Sequence, residues 1–181
     1  MALLLAKTDI AMKTRHPLIL TARIADDDLA PFDRLRKAHF PPERNFLHAH
    51  LTMFHRLPGE YAGRIVETLE RVAALQKPIS AQVTGLRHLG AGVAFAIASP
   101  ELYEVRQALR GAFVVWLNSQ DMHKWQPHIT IQNKVSRGEA DQLFKALQTR
   151  FEPRQIRIVG LDLHAYLDGP WRLDKSVTFG A

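Results

Sequence analysis

The chain has 181 residues, which suits one domain and is long enough to bury a hydrophobic core. It has no cysteine, and this excludes disulfides, thiolate nucleophiles and thiolate metal sites. There are 24 basic and 18 acidic residues, and the net charge of +6 favours anionic partners such as nucleotides or RNA, although many soluble proteins are equally basic.

The N-terminal segment and the remaining apolar runs carry no export or membrane signal. The apolar run from Met1 to Ala6 is interrupted by Lys7 and Asp9, so we predict no signal peptide and a cytoplasmic protein. No apolar run approaches the length of a membrane span, and no membrane association is expected.

The first half of the chain predicts the order β-α-β-α-β. The aspartates at 26–28 suit a helix start, because negative charge is stabilised at the N-terminal end of the helix dipole. Pro41 and Pro42 end that helix, since proline cannot continue it. The predicted strands cover 17–24, 47–57 and 78–89, and the predicted helices cover 26–39 and 60–76.

The second half predicts the same order again, with one additional strand. Ser99 and Ser136 precede apolar helical patterns and are typical N-terminal caps, and Pro100 suits a first helical turn. A loop is predicted over 118–127. The strands are predicted at 93–98, 128–135, 154–167 and 171–179, with helices beginning at 100 and 136.

The two halves share landmarks, which indicates an internal duplication. Gly85-Leu86 and Gly160-Leu161 both fall in the third strand of a half, and His50 and His128 both fall in the second. No serine- or glycine-rich linker separates the halves. We therefore predict a single domain over 1–181, with lobe one at about 17–90 and lobe two at about 91–179.

Two His-x-Thr motifs lie at these matched positions, in the sequences HLTM and HITI. Residues i and i+2 of a strand point to the same face, so His50 with Thr52, and His128 with Thr130, should face one side while their neighbours enter the core. A single motif of this kind is usually strand packing. The symmetric pair instead predicts two imidazoles and two hydroxyls in a common cleft.

This group of side chains suits phosphodiester chemistry. Imidazole titrates near neutrality, so one ring can accept a proton from water or a hydroxyl while the other donates a proton to the leaving oxygen. Threonine hydroxyls can donate hydrogen bonds to the non-bridging phosphate oxygens, where negative charge builds in the transition state. Such chemistry requires no metal ion.

The tandem motifs in a duplicated α/β unit resemble the two-histidine (2H) phosphoesterases. The stretches 40–59 (FPPERNFLHAHLTMFHRLPG) and 125–131 (WQPHITI) are similar to the 2′-5′ RNA ligase-like branch of that superfamily. The resemblance covers about 17–179 and implies an α+β LigT-like fold, bilobal and duplicated, with two antiparallel sheets around a central cleft. It also implies that His50 and His128 are the catalytic acid–base pair and that Thr52 and Thr130 bind phosphate.

Residues next to the motifs are candidates for substrate binding. Arg44 could pair with phosphate, Trp125 could stack on a base or pack beneath its loop, and His48 could border the cleft because it has the parity of His50. The His48-x-His50 spacing is also typical of metal ligands. No carboxylate lies within that strand, however, so neither a metal nor a cofactor is expected.

Other nearby side chains are interpreted as structural. Arg56 and Lys134 each follow a motif histidine by six residues, a distance that places them at solvated strand ends. His55 has the opposite parity to His50 and is expected at the surface or in the core. His164 is likewise interpreted as structural or exposed.

The sequence predicts a metal-independent phosphodiesterase acting on a 2′,3′-cyclic phosphate or a related RNA or nucleotide phosphodiester. Reversible RNA end joining, a cyclic sugar phosphate or a 1″,2″-cyclic phosphate substrate, and a non-catalytic RNA- or nucleotide-binding protein that retains the cleft stay open as alternatives. The expected partners are RNA ends or cyclic nucleotides, and a monomer is expected. The sequence does not decide which histidine is the base.

Overall fold

The computed structural model describes residues 16–180, so the prediction for Met1–Ala6 lies outside the described residues. Within this range the chain forms seven strands and five α-helices, with short 3₁₀ helices between some of them. The strands are β1 (Leu18–Ile24), β2 (Leu51–Leu57), β3 (Ile79–His88), β4 (Val93–Ala98), β5 (His128–Gln132), β6 (Arg154–Tyr166) and β7 (Trp171–Thr178). The helices are α1 (Asp26–His39), α2 (Ala62–Ala74), α3 (Pro100–Phe113), α4 (Ser119–Met122) and α5 (Arg137–Gln148).

All strands belong to one sheet, ordered β1-β2-β5-β4-β3-β6-β7, with every pairing antiparallel. An additional β1–β6 pairing closes the first six strands into a ring, and β7 extends the sheet from β6. The α+β class is confirmed. The prediction of two separate sheets around a cleft is wrong, because β6 is long enough to pair with β3 through its first residues and with β1 through the rest.

The third strand of each half pairs with the other half of the sequence. β3 pairs with β4, and β6 pairs with β1, while β2 pairs with β5. This arrangement matches a pseudo-twofold axis that relates the two β-α-β-α-β units. Each of these pairings thus joins a strand before residue 90 to a strand after it. The division into two lobes stays a prediction.

The helices pack on the sheet through their apolar faces and begin at identifiable caps. Ile65 and Leu69 of α2 are fully buried at the spacing of one helical turn. The Ser99 hydroxyl accepts from the Leu102 amide at 3.1 Å. Ser136 forms a reciprocal capping box with Glu139, so both predicted serine caps are confirmed.

Several element bounds differ from the prediction. β2 begins at Leu51 rather than at 47. The backbone before Leu51 bonds to a side chain instead of a strand, because the Ala49 amide donates to Asp33 Oδ1 at 2.5 Å. β5 ends at Gln132, shortly before Lys134 adopts a left-handed conformation with φ of 61°. The predicted loop over 118–127 contains the short helix α4. None of the helices within 16–180 is both long enough and apolar enough to span a membrane.

Candidate active site

The two His-x-Thr motifs lie side by side in the closed sheet. Strands β2 and β5 pair at a single residue pair, Leu51 with Ile129, and both of these side chains are fully buried. The flanking motif residues face away from the core and line one cavity of about 200 Å³. That cavity is lined by Ile19, His50, Thr52, His55, His128, Thr130 and Trp171. The sequence prediction that the four motif residues face one cleft is therefore confirmed.

Each motif histidine is oriented in the same way by its own backbone. His50 Nδ1 lies 2.8 Å from the carbonyl of His48, and His128 Nδ1 lies 2.8 Å from the carbonyl of Gln126. A carbonyl can only accept, so these short contacts assign the Nδ1 proton in both rings; in His128 the Arg87 guanidinium, which can only donate, lies farther from Nδ1, at 3.3 Å. The Nε2 atom of each ring is left free to accept or donate a proton in the cavity.

The carbonyl groups of the two motif threonines are also held in matching ways. The indole N–H of Trp125 donates to the Thr52 carbonyl at 3.1 Å. Arg36 donates to the Thr130 carbonyl at 3.0 Å, and its Nε donates to Asn45 Oδ1 at 2.9 Å. Because β2 and β5 share only one residue pair, these side chains supply donors that a longer strand pairing would provide. They fix the backbone beneath the two threonine hydroxyls.

The environment favours the neutral form of both motif histidines. The pKa of His50 is lowered to about 4, chiefly by burial and also by the nearby charges of Arg36, His164 and His128, although the hydrogen bond to the His48 carbonyl opposes this change. Burial likewise lowers the pKa of His128, with a further contribution from the Arg87 guanidinium. Both rings are thus neutral near pH 7 when the cavity holds no anion.

A second cavity of about 380 Å³ adjoins the first and shares His50 and Trp171 with it. The Trp171 ring centroid lies 4.6 Å from that of His50 and 5.4 Å from that of His164, whose Nε2 is 3.0 Å from the Thr21 hydroxyl. The apolar side of this cavity includes Leu29. Sequence reasoning missed His164 and Trp171, because they reach His50 only through the β1–β6 and β6–β7 pairings.

The prediction that His55 has the opposite parity to His50, and so faces away from the motif residues, is wrong, although its side chain is 38% exposed. The register of β2 against β1 shifts between Thr52 and Phe54, which is a β-bulge, and Met53 and Phe54 are both fully buried. The extra residue reverses the parity, so His55 returns to the face of Thr52 and lines the same cavity. Its Nδ1 lies 2.9 Å from Oδ1 of the buried Asp121.

The three predicted substrate-binding residues occupy different surroundings, and their roles stay predictions. Arg44 is exposed in a 3₁₀ helix and lines neither cavity. Trp125 packs against the core beneath Thr52 instead of lining a cavity. His48 lines the larger cavity, with its side chain 92% exposed and its Nδ1 3.4 Å from Asp33 Oδ2.

Two further features of the motif strands bear on the sequence predictions. Arg56 and Lys134 are exposed, in agreement with their interpretation as strand-end residues. Over residues 16–180, no cluster of three or more histidine, aspartate or glutamate side chains is arranged to hold a metal ion.

Residues 24–170 match the family model described as the 2′-5′ RNA ligase superfamily. The chain belongs to the 2′-5′ RNA ligase superfamily. This membership agrees with the resemblance seen in the motifs and identifies a protein of a phosphodiester-processing family. No curated protein sequence shows a significant match to the chain.

Solved structures share the fold of this superfamily member at low sequence identity. TT0787 of Thermus thermophilus has a TM-score of 0.64 at 15% identity, covering 90% of this chain and 97% of that chain. E. coli LigT complexed with 3′-AMP has a TM-score of 0.62 at 16% identity, covering 92% and 99%. A structure described as a phosphoesterase has a TM-score of 0.60 at 17% identity, covering 92% and 99%. These similarities show the LigT-like fold.

Proposed function

We propose that this protein is a metal-independent phosphodiesterase that hydrolyses 2′,3′-cyclic phosphates of RNA ends or nucleotides. The observation that carries the proposal is the matched orientation of His50 and His128. Each ring is fixed through Nδ1 to the carbonyl two residues earlier, and both line one cavity with Nε2 available. Two proton-transfer groups about a common cavity suit in-line displacement at phosphorus.

In the proposed reaction, one neutral imidazole takes a proton from water as the water oxygen bonds to phosphorus. The bond between phosphorus and one ribose oxygen then breaks, and the protonated second imidazole gives its proton to that oxygen. The Thr52 and Thr130 hydroxyls donate hydrogen bonds to the non-bridging oxygens. Proton transfer back through solvent restores the starting state of the two rings.

We assign His50 as the base and His128 as the acid. The pKa of His50 is lowered to about 4, and its ring lies 4.6 Å from the tilted Trp171 ring, so His50 is strongly held neutral. An anionic phosphate favours protonation of a nearby imidazole. His128, the other motif histidine of the cavity, is assigned to take up that proton and deliver it.

The larger cavity supports a nucleoside on the His50 side of the phosphate. It offers Trp171 and Leu29 for apolar and stacking contacts, and Asp162 and His164 for hydrogen bonds to a base or ribose. E. coli LigT, which shares the fold, has been crystallised with 3′-AMP, ATP and NADP+. The proposed partners are thus RNA ends and nucleotides, and a cytoplasmic monomer stays the expectation from the sequence.

A panel of cyclic phosphates tests the proposal. Nucleoside 2′,3′-cyclic phosphates, an RNA with a 2′,3′-cyclic end, a 1″,2″-cyclic phosphate and a cyclic sugar phosphate should be assayed with and without EDTA. We expect turnover of the ribonucleoside substrates in both conditions and a large decrease of turnover in His50→Gln and His128→Gln. His88→Gln is the matched control, because His88 bonds Asp141 and lines neither cavity.

Two outcomes would favour the open alternatives. Binding of the cyclic nucleotide without turnover, lost in the two histidine variants, would favour the non-catalytic binding protein. Conversion of a 5′-hydroxyl RNA and a cyclic-phosphate RNA to a joined product would show that the same site runs transesterification in the joining direction. Complete loss of activity with EDTA, restored by a divalent cation, would contradict the metal-independent mechanism.

A further inference from the structure

The small cavity contains a histidine that the proposed reaction does not use. His55 lines it together with the two motif histidines and the two motif threonines. It is also close enough to His128 for its charge to lower the pKa of that ring. The site therefore presents three imidazoles to a ligand, where the acid–base mechanism requires two.

Asp121 holds His55 through a dense set of hydrogen bonds. The His55 ring donates from Nδ1 to Oδ1 at 2.9 Å, and its backbone amide lies 3.0 Å from both carboxylate oxygens. The Arg56 amide donates to Oδ2 at 3.1 Å. Asp121 is fully buried, at 0% exposure. Burial by itself raises the pKa of this carboxyl, but the hydrogen bonds from His55 and Arg56 hold it below the usual range.

Hydrogen bonds from the neighbouring elements hold the His55–Asp121 pair in place. The register of β2 against β1 shifts a second time between Phe54 and Leu57, and in this interval Asp121 of α4 accepts from the amides of His55 and Arg56. The Asp121 amide in turn donates to the Asn118 side chain at 2.9 Å. Arg106 of α3 joins the two segments, donating to the carbonyls of Met53 at 2.8 Å and Asp121 at 3.0 Å.

The pair also breaks the pseudo-twofold symmetry of the site. The residue of the second half that corresponds to His55 is Asn133, which lies beyond the end of β5. Another histidine–aspartate pair, His88 with Asp141 at 2.7 Å, has a carboxylate that is 45% exposed. A fully buried carboxylate behind a cavity-lining imidazole is a costlier arrangement than such a surface pair, because burying a charge is unfavourable.

We propose that His55, held by Asp121, binds the phosphate of the substrate as a third histidine of the site. The proposal rests on the proposed function, in that the cavity receives a phosphoester. The Asp121 carboxylate accepts from Nδ1 of His55, which leaves Nε2 of that ring available to a ligand in the cavity. When Nε2 is also protonated, Asp121 balances the charge of the ring, and Nε2–H donates to a non-bridging oxygen. His55 supplies a cationic donor while the two motif histidines exchange protons with water and the leaving group.

His55→Gln tests the proposal with His88→Gln as the matched control, because both remove one imidazole that is paired with an aspartate. Two quantities should be measured: kcat/KM with a nucleoside 2′,3′-cyclic phosphate, and the affinity for inorganic phosphate. We expect His55→Gln to lower kcat/KM by about 10- to 100-fold and to weaken phosphate binding by about 10-fold, the usual effect of losing a charged hydrogen-bond donor. His88→Gln should match the wild type in both.

The phosphate titration separates this proposal from the proposed function. Side-chain ¹⁵N resonances of the histidines, followed during addition of inorganic phosphate, should show a shift at Nε2 of His55. That shift is expected even if no cyclic phosphate is turned over, in which case the enzyme proposal fails and the phosphate site stands. Wild-type kcat/KM and wild-type phosphate affinity in His55→Gln would overturn the assignment. Asp121→Asn, if folded, should weaken phosphate binding in the same direction as His55→Gln.

Discussion

The lowered pKa of the half-buried His50 imidazole should make the stability of the protein fall as the pH falls. Its pKa is lowered from 6.5 to about 4 in the folded state, so the unfolded chain binds more protons between these values. The sign is therefore fixed: the folded state loses stability as the pH drops through 6.5 towards 4. Well above pH 6.5 the ring is neutral in both states and contributes no pH dependence.

The magnitude follows from the two pKa values. Linkage gives a loss of about 2 kcal/mol in the free energy of unfolding from His50 alone between pH 7 and pH 5. His50→Gln removes the titrating group and retains an amide that can donate to the His48 carbonyl. The stability of this variant relative to the wild type should therefore rise by about 2 kcal/mol over the same interval.

Urea unfolding of the two proteins at pH 7 and pH 5 measures this difference. Thr52→Ala is the matched control, because it changes a neighbouring cavity residue without changing a titratable group, and it should keep the wild-type slope. An identical pH dependence in the wild type and His50→Gln would contradict this expectation. It would mean that the folded structure does not hold the pKa of His50 below its usual value.

Four further changes test the account of the site. His50→Ala and His128→Ala should each lower turnover by roughly 10²- to 10⁴-fold, and the double variant should lose less than the product of the two, because residues that act as one unit are not additive. Thr52→Ala and Thr130→Ala should lower turnover less than the histidine variants do, by at most the few kcal/mol of one transition-state hydrogen bond. Circular dichroism should show that both variants are folded. A decrease in turnover as large as that of the histidine variants would contradict this expectation. Turnover of a 2′,3′-cyclic phosphate should survive EDTA, and inactivation reversed by a divalent cation would argue against the acid–base pair. Trp125→Phe should lower the free energy of unfolding in urea by about 1 kcal/mol, the typical contribution of a hydrogen bond such as that to the Thr52 carbonyl. A larger effect on nucleotide affinity than on stability would instead favour a stacking role for Trp125.

The motif residues were predictable because their signal is local. The alternation of exposed and buried positions around His50 and His128 follows from strand geometry alone, and the matched spacing of the halves indicates the symmetry that pairs β2 with β5. The capping serines Ser99 and Ser136 were predictable for the same reason, since a cap and its first helical turn lie within four residues.

The rest of the site depends on features that no local pattern encodes. His55 was misassigned because a bulge changed the parity of β2, and its partner Asp121 lies in a four-residue helix inside a segment whose composition is typical of a loop. Trp171 and His164 reach His50 through pairings between the first strand and the last two. The closed sheet was missed because the length of β6 does not indicate that both β1 and β3 pair with it.

The pH dependence of kcat/KM in the wild type, His50→Gln and His128→Gln tests the acid–base pair most directly. We expect a bell-shaped profile for the wild type, because the reaction needs one neutral and one protonated imidazole. The residual activity of His50→Gln should lose the acidic limb, and that of His128→Gln should lose the basic limb. A bell-shaped profile that persists unchanged in both variants would contradict the assignment of the two motif histidines as acid and base.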